Sequence, residues 1–176
     1  GLRPERLRDR DRELGAVVCA PRADVGVLVL AAVALHSRIA AALTLAGFVT
    51  AWGVARSLLG ASASLSATAG LNGMLVAMAL GSVWFIPSVW SYALATGASA
   101  LTAIVATGLA ARFERLGLPL LIAPFNLTVP LVLYVMRQRI VDGRPHAVDF
   151  APGTPEENLA YFRARSERFG AIAGVR

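Results

Sequence analysis

Between Arg56 and Arg112 the chain carries no charged residue, and a second uncharged run lies between Arg115 and Arg137. Crossing a hydrocarbon core takes about 20 predominantly apolar residues, so the first run alone is long enough for at least two spans. A helix on the surface of a water-soluble domain shows charges along its outer face. Here the charges gather at the two ends of the chain and at a few points between. The pattern predicts an all-α integral membrane protein with about five transmembrane or half-membrane helices.

Three regions follow from the same pattern. Residues 1–24 form a polar N-terminal arm in which Arg alternates with acids, as in Arg8-Asp9-Arg10-Asp11-Arg12, unlike a signal or transit peptide. Residues 25–136 form the transmembrane domain. Its first segment, Val25 to Leu35, is short for a full span and suits a tilted or half-length helix. Ile39 to Ala55 follows, bracketed by Arg38 and Arg56. The small residues from Leu59 to Gly70 suit either close helix contact or irregular backbone buried in protein. Met74 to Leu80 is helical in character. Trp84 to Trp90, with Pro87 between the tryptophans, reads as a turn at the headgroup level. Ser91 to Ala111 is a further span, and Arg112-Phe113-Glu114-Arg115 a polar loop. Leu116 to Met136 carries Pro119, Pro124 and Pro130, so it is either a broken span or a helix with an extended approach. Residues 137–176 form a soluble C-terminal tail. In it Thr154-Pro155-Glu156-Glu157 reads as a helix start, with Thr154 as N-cap and Glu157 closing a capping box, leading a short amphipathic helix to about Phe169.

Composition narrows the functions this arrangement can serve. Hydrophobic residues make up 56% of the 176 residues and charged ones only 16%, against about 25% charged in ordinary domains. The net charge is +6, which in a soluble protein would raise a nucleic-acid partner. Arg residues at span ends instead anchor loops against anionic lipid, so the expected partner is the bilayer, with no nucleic acid. Cys19 is the single cysteine, which excludes an intramolecular disulfide. His36 and His146 have no nucleophile that the sequence places beside them, and no metal-ligand spacing or phosphate-binding glycine loop occurs. No catalytic residue, metal or cofactor is expected. Asp and Glu are absent from the middle of every segment, which argues against an ion-coupled pump and for passage of a neutral solute or a structural role.

Two patterns stand out inside the apolar region. In Gly70-Leu71-Asn72-Gly73-Met74-Leu75, an Asn at membrane depth is costly unless paired. It is expected to cap a half-helix entering at Gly73, whose N-terminal amides then point into a cavity. In Leu118-Pro119-Leu120-Leu121-Ile122-Ala123-Pro124-Phe125, the prolines free backbone carbonyls at membrane depth.

In this order and separation the two patterns resemble the urea transporter family. Its members look like Gly-x-x-Gly-Phe-Asn-Gly-x-Leu-x-Gly-x-Ala-Leu, then one span, then Leu-Pro-x-Leu-Thr-Ala-Pro-Phe. The resemblance runs from about Val25 to Val135 and rests on Asn72-Gly73 and Ala123-Pro124-Phe125. It implies one of two inverted repeats of about five spans each, with a narrow uncharged path between them. It also implies facilitated, energy-independent passage of urea or a similar small neutral solute, by a multi-pass protein of a cell membrane, bacterial inner or plasma membrane. The second repeat would come from another copy in a homo-oligomer, from another chain, or from a further part of the same polypeptide.

Carried over by position, the family's apolar pore-slot residues fall on Leu71 and Leu75, with Asn72, Ile122 and Phe125 completing the substrate path. Leu71 stands where the family has Phe, and Ile122 where it has the pore Thr. The family's Gln-x-x-Phe, due near Ala16 to Cys19, is absent. These departures keep the path apolar and remove polar contacts that would hold an amide. An alternative is a non-transporting or flavin-carrying membrane subunit of a redox complex with a related fold. Such subunits resemble this chain in architecture and carry flavin mononucleotide on a Thr that would fall on Thr68, in Ser66-Ala67-Thr68.

Overall fold

A computed structural model describes residues 31–138, 145–148 and 153–172, with side chains of the last helix described through Glu167. The polar arm and most of the Val25–Leu35 segment lie outside the described residues; residues 31–36 are helical. Five helices follow: α1 Arg38–Gly53, α2 Ala63–Met78, α3 Val89–Arg115, α4 Ala123–Arg137 and α5 Pro155–Ile172. The first two continue into single π-helical turns, Val54–Leu58 and Ala79–Val83. With those extensions α1, α2 and α3 are, among the described residues, the three helices long and apolar enough to cross a membrane. At 15 residues, α4 rises only about 22 Å, less than the roughly 30 Å of a hydrocarbon core.

Each span begins on a serine. Ser37 accepts from the Ala40 N–H and Ser62 from the Leu65 N–H. Ser88 accepts from Ser91 N–H, and the Ser91 hydroxyl accepts in return from the Ser88 N–H. Each hydroxyl satisfies a backbone donor that a helix start leaves unpaired. Two expected boundaries move as a result. Val89 and Trp90 belong to the first turn of α3 and not to the preceding turn. Arg112 to Arg115 complete its last turn instead of forming a polar loop, because the two Arg residues favour the negative end of the helix. Of the small-residue stretch, Leu59 to Ser62 is non-helical apart from its turn, and Ala63 onward is helix.

The three spans pack through small residues. A Cβ on Gly47 would overlap Ala77 and the Gly73 carbonyl, and one on Gly73 would overlap Ala51. Gly47 with Ala51 and Gly73 with Ala77 each repeat a small residue at a four-residue interval, which lets two membrane helices approach closely. The Ser99 hydroxyl ties α3 to this contact, donating to the Gly73 carbonyl at 2.9 Å. In lipid, where burial of apolar surface drives little, such packing and hydrogen bonding hold helices together. Toward the end of the bundle where α1 starts, the core is built from larger side chains, among them Leu43, Val76, Leu80, Phe85 and Val129. At the other end it is alanine: Ala51, Ala55, Ala61, Ala69, Ala103 and Ala106.

The tail returns to the end where α1 starts. Ile86 N–H donates to the His146 carbonyl and Val148 N–H to the Trp84 carbonyl, which ties residues 145–148 to the turn between α2 and α3. Thr154 and Glu157 exchange the two capping-box hydrogen bonds that their spacing predicts. Glu156 reaches the start of α1, where its Oε1 accepts from the Ile39 N–H at 3.0 Å.

Candidate functional site

The site is the place where α4 begins. Residues 116–122 approach it without forming a helix, through Gly117 at φ 65° and Leu121 at φ 39°. A left-handed Leu is strained by about 1–3 kcal/mol and persists only where its surroundings hold it. Here the holder is Asn72. Its Nδ2 donates to the Leu121 carbonyl at 2.7 Å, and its Oδ1 accepts from the Phe125 N–H at 3.0 Å. Nδ2 also donates to the Thr68 carbonyl, one turn back in its own helix. Only 1% of Asn72 is exposed.

This arrangement corrects the expectation for Asn72. The residue sits inside α2, so no helix starts at Gly73. It does cap a half-helix, but from the side and 53 residues away. Ile122, at the N-cap position of α4, gives no side-chain cap of its own. Asn72 supplies that cap in its place, by bonding the third helical N–H as an ordinary N-cap side chain does. The expected free amides are also missing. Ala123 N–H donates to the Leu120 carbonyl, Asn126 N–H to the Ile122 carbonyl and Phe125 N–H to Asn72, while Pro124 has no N–H. Residues 123–126 of the first turn of α4 thus leave no N–H over for a ligand.

Depth follows from register. The span containing Asn72 runs from Ala63 to Val83, 21 residues, so Asn72, the tenth, lies beside its middle. The half-helix therefore begins near mid-membrane and runs outward to the end where the tail docks. Backbone that is not helical at this depth survives only when buried in protein or lining a cavity.

Leu71 and Leu75 lie four residues apart on one stripe of α2 beside Asn72; Leu71 is 49% exposed and Leu75 half-buried. Ile122 is 52% exposed. Phe125 turns inward and packs against the Leu43–Val76–Leu80 core. The structure therefore joins Asn72, Ile122 and Phe125 in one junction and leaves Leu71 and Ile122 on open surface. Thr68, the candidate flavin position, is half-buried on α2, and its hydroxyl donates to the Ser64 carbonyl. Three residues of the junction escaped the sequence reading. Leu121 carries the strain, and nothing in a Leu announces that. Thr128 is fully buried with its hydroxyl unbonded. Asn126 is an exposed amide in an apolar run, and its signal was visible: a second Asn four residues before Pro130.

Comparison with family models gives one decisive match. The urea transporter model covers residues 7–137. The chain belongs to the urea transporter family. Comparison with curated proteins gives no match. Family membership and three span-length helices make this a multi-pass membrane protein whose family moves urea-like solutes across the bilayer. The half-helix junction, with both sequence patterns that carry the resemblance, falls inside the matched region.

Proposed function

We propose that this urea transporter family member carries urea, or a similar small neutral solute, passively across a cell membrane. The path runs along Leu71, Leu75 and Ile122, while Asn72 and Phe125 hold the half-helix that forms one wall. A second repeat completes the opposite wall. One observation carries the reading: a broken span starts near mid-depth and is pinned there by a neutral side chain. Half-helices of this kind place irregular backbone where a solute path needs it. No Asp, Glu, Lys, Arg or His lies between Arg56 and Arg112 or between Arg115 and Arg137. A flux through this region therefore has no ionisable group of the usual kind to couple it to protons.

The test is urea entry into liposomes, followed by light scattering without any ion gradient. The reconstituted protein should speed entry over empty liposomes. Leu75→Trp should block it by filling the slot, and Ile122→Thr should raise it by adding a hydrogen-bonding hydroxyl beside the half-helix. A wild type indistinguishable from empty liposomes would sink the transport reading, and covalent flavin found on Thr68 by mass spectrometry would replace it.

A further inference from the structure

We propose that Asn126 is the hydrogen-bonding contact for the solute, taking the part that Ile122 cannot. This rests on the transport reading above. Asn126 lies three residues past the first residue of α4, about 5 Å along the helix from the junction near mid-depth. It is exposed. On the same stripe, four residues away on either side, stand Ile122 and Pro130, both exposed. Two turns further along this stripe Tyr134 is 63% exposed, three residues before the end of α4, and the other large open positions of the helix are apolar: Leu127 is 54% exposed, Leu131 51% and Val135 56%. A carboxamide facing hydrocarbon without a partner is unfavourable by several kcal/mol, so a group placed there is one that something meets.

Two hydrogen-bonding groups are available at this one residue. The side-chain amide forms no bond among the described residues, so it offers both a donor and an acceptor. The main-chain carbonyl is the second. In an α-helix it would accept from the N–H four residues on, and that residue is Pro130, which has none. Urea is a planar amide with one carbonyl acceptor and four N–H donors. The Asn126 Nδ2 can donate to the urea oxygen, while Oδ1 and the freed carbonyl accept from urea N–H groups. Ile122, one turn earlier, supplies an apolar wall beside this contact. The assignment differs from a hydroxyl-based contact in what it selects. An amide paired with a bare carbonyl favours solutes that both donate and accept, and disfavours those that only accept.

The experiment measures urea flux in proteoliposomes against urea concentration. Asn126→Leu should raise the half-saturating urea concentration or cut flux at low urea by about tenfold, the loss expected from two hydrogen bonds. Elution on size exclusion should stay unchanged. Asn126→Ser serves if the Leu variant fails to fold, and should weaken low-urea flux with the maximum preserved. Asn126→Gln, which keeps the amide, should restore part of it, and Leu127→Ala should match wild type. Against tetramethylurea, which cannot donate, wild type and Asn126→Ser should behave alike. If wild type conducts urea and both Asn126→Leu and Asn126→Ser conduct it equally well, the assignment is overturned and the transport reading stands. A changed oligomer in Asn126→Leu or Asn126→Ser overturns it in favour of a subunit contact. If wild type conducts nothing, both readings fall together.

Discussion

Two helix starts in this molecule are completed by side chains from far along the chain, and they use opposite chemistry. α4 is capped by Asn72, a neutral amide from 53 residues away. α1 already has Ser37 and receives Glu156, a carboxylate from 117 residues away. Depth accounts for the choice. Near mid-membrane a charged side chain is penalised by roughly 2.5–3.5 kcal/mol. At the water edge an anion at a helix N-terminus is favoured by about 0.3–1 kcal/mol. Demand accounts for the rest. The α4 start must satisfy both a donor, Phe125 N–H, and an acceptor, the Leu121 carbonyl. Only a group that donates and accepts can do both, and a carboxylate only accepts. A neutral cap at depth keeps the buried junction uncharged, while the charged cap ties the tail to the bundle where water can reach it.

The comparison is broken most directly by exchanging the chemistry. Asn72→Leu leaves Phe125 N–H and the Leu121 carbonyl unpaired in a dry site and should lower stability by about 2–3 kcal/mol. Asn72→Asp keeps the acceptor but loses the donor and adds a buried charge. It should be at least as damaging, by about 3 kcal/mol. Thermal unfolding in detergent checks both. If either variant melts with wild type, the Asn72 cap does not hold the half-helix in place.

How far all this could be read in advance depended on whether a feature was local. The spans were legible because hydrocarbon excludes charge, so Arg56, Arg112, Arg115 and Arg137 mark the uncharged runs. The break before α4 was legible because Pro119 and Pro124 forbid a continuous helix. The Thr154–Glu157 box was legible because both partners sit within one turn. Asn72 was recognised as a cap yet assigned to the wrong helix. Its partners Leu121 and Phe125 are distant in the chain, and no local pattern names them. Glu156 gave no signal, since an acid in a first helical turn has a sufficient local explanation. The two π-helical turns were equally hidden: both end a span with one extra residue per turn, and nothing in Val54–Leu58 or Ala79–Val83 requires it.

A sharper test of the surface cap uses pH. Burial alone would push the Glu156 carboxyl up. The N–H of Ile39, the hydroxyl of Ser37 and the N–H of Arg38 bond its ionised form and outweigh burial, so it is held below the ordinary carboxylate range. A folded-state value below the unfolded one means stability that is present above about pH 4.3 and lost as pH falls through the folded value. Tail docking should therefore be constant from pH 7 to about pH 5 and weaken below pH 4.3. Glu156→Ala should lower stability at pH 7 by about 1 kcal/mol, the usual worth of a helix cap. Glu156→Gln should keep much of the docking and flatten its acid dependence. Proteolysis of the tail across pH reads both. An unchanged acid profile in Glu156→Gln would show that another carboxylate governs docking.

The smallest effect belongs to the capping box of α5, and it shows how the surface cap is supported. Thr154 Oγ1 accepts from the Glu157 N–H at 3.2 Å, and Glu157 Oε2 accepts from the Thr154 N–H at 2.8 Å. Both bonds are solvent-exposed, so water replaces them at little loss. Thr154→Ala should lower stability by about 0.5–1 kcal/mol. Its influence should pass through Glu156, two residues on, because a frayed first turn of α5 no longer aims that carboxylate at Ile39. The double variant Thr154→Ala with Glu156→Ala should then lose less than the sum of the two single losses, as coupled neighbours do. Thr154→Ala with Asn72→Leu should instead be additive, since the two caps share no partner and complete different helices. Double-mutant cycles in detergent measure both. Equal coupling in the two cycles would mean that the caps act through one cooperative unit, and the division between a neutral cap at depth and a charged cap at the surface would lose its energetic basis.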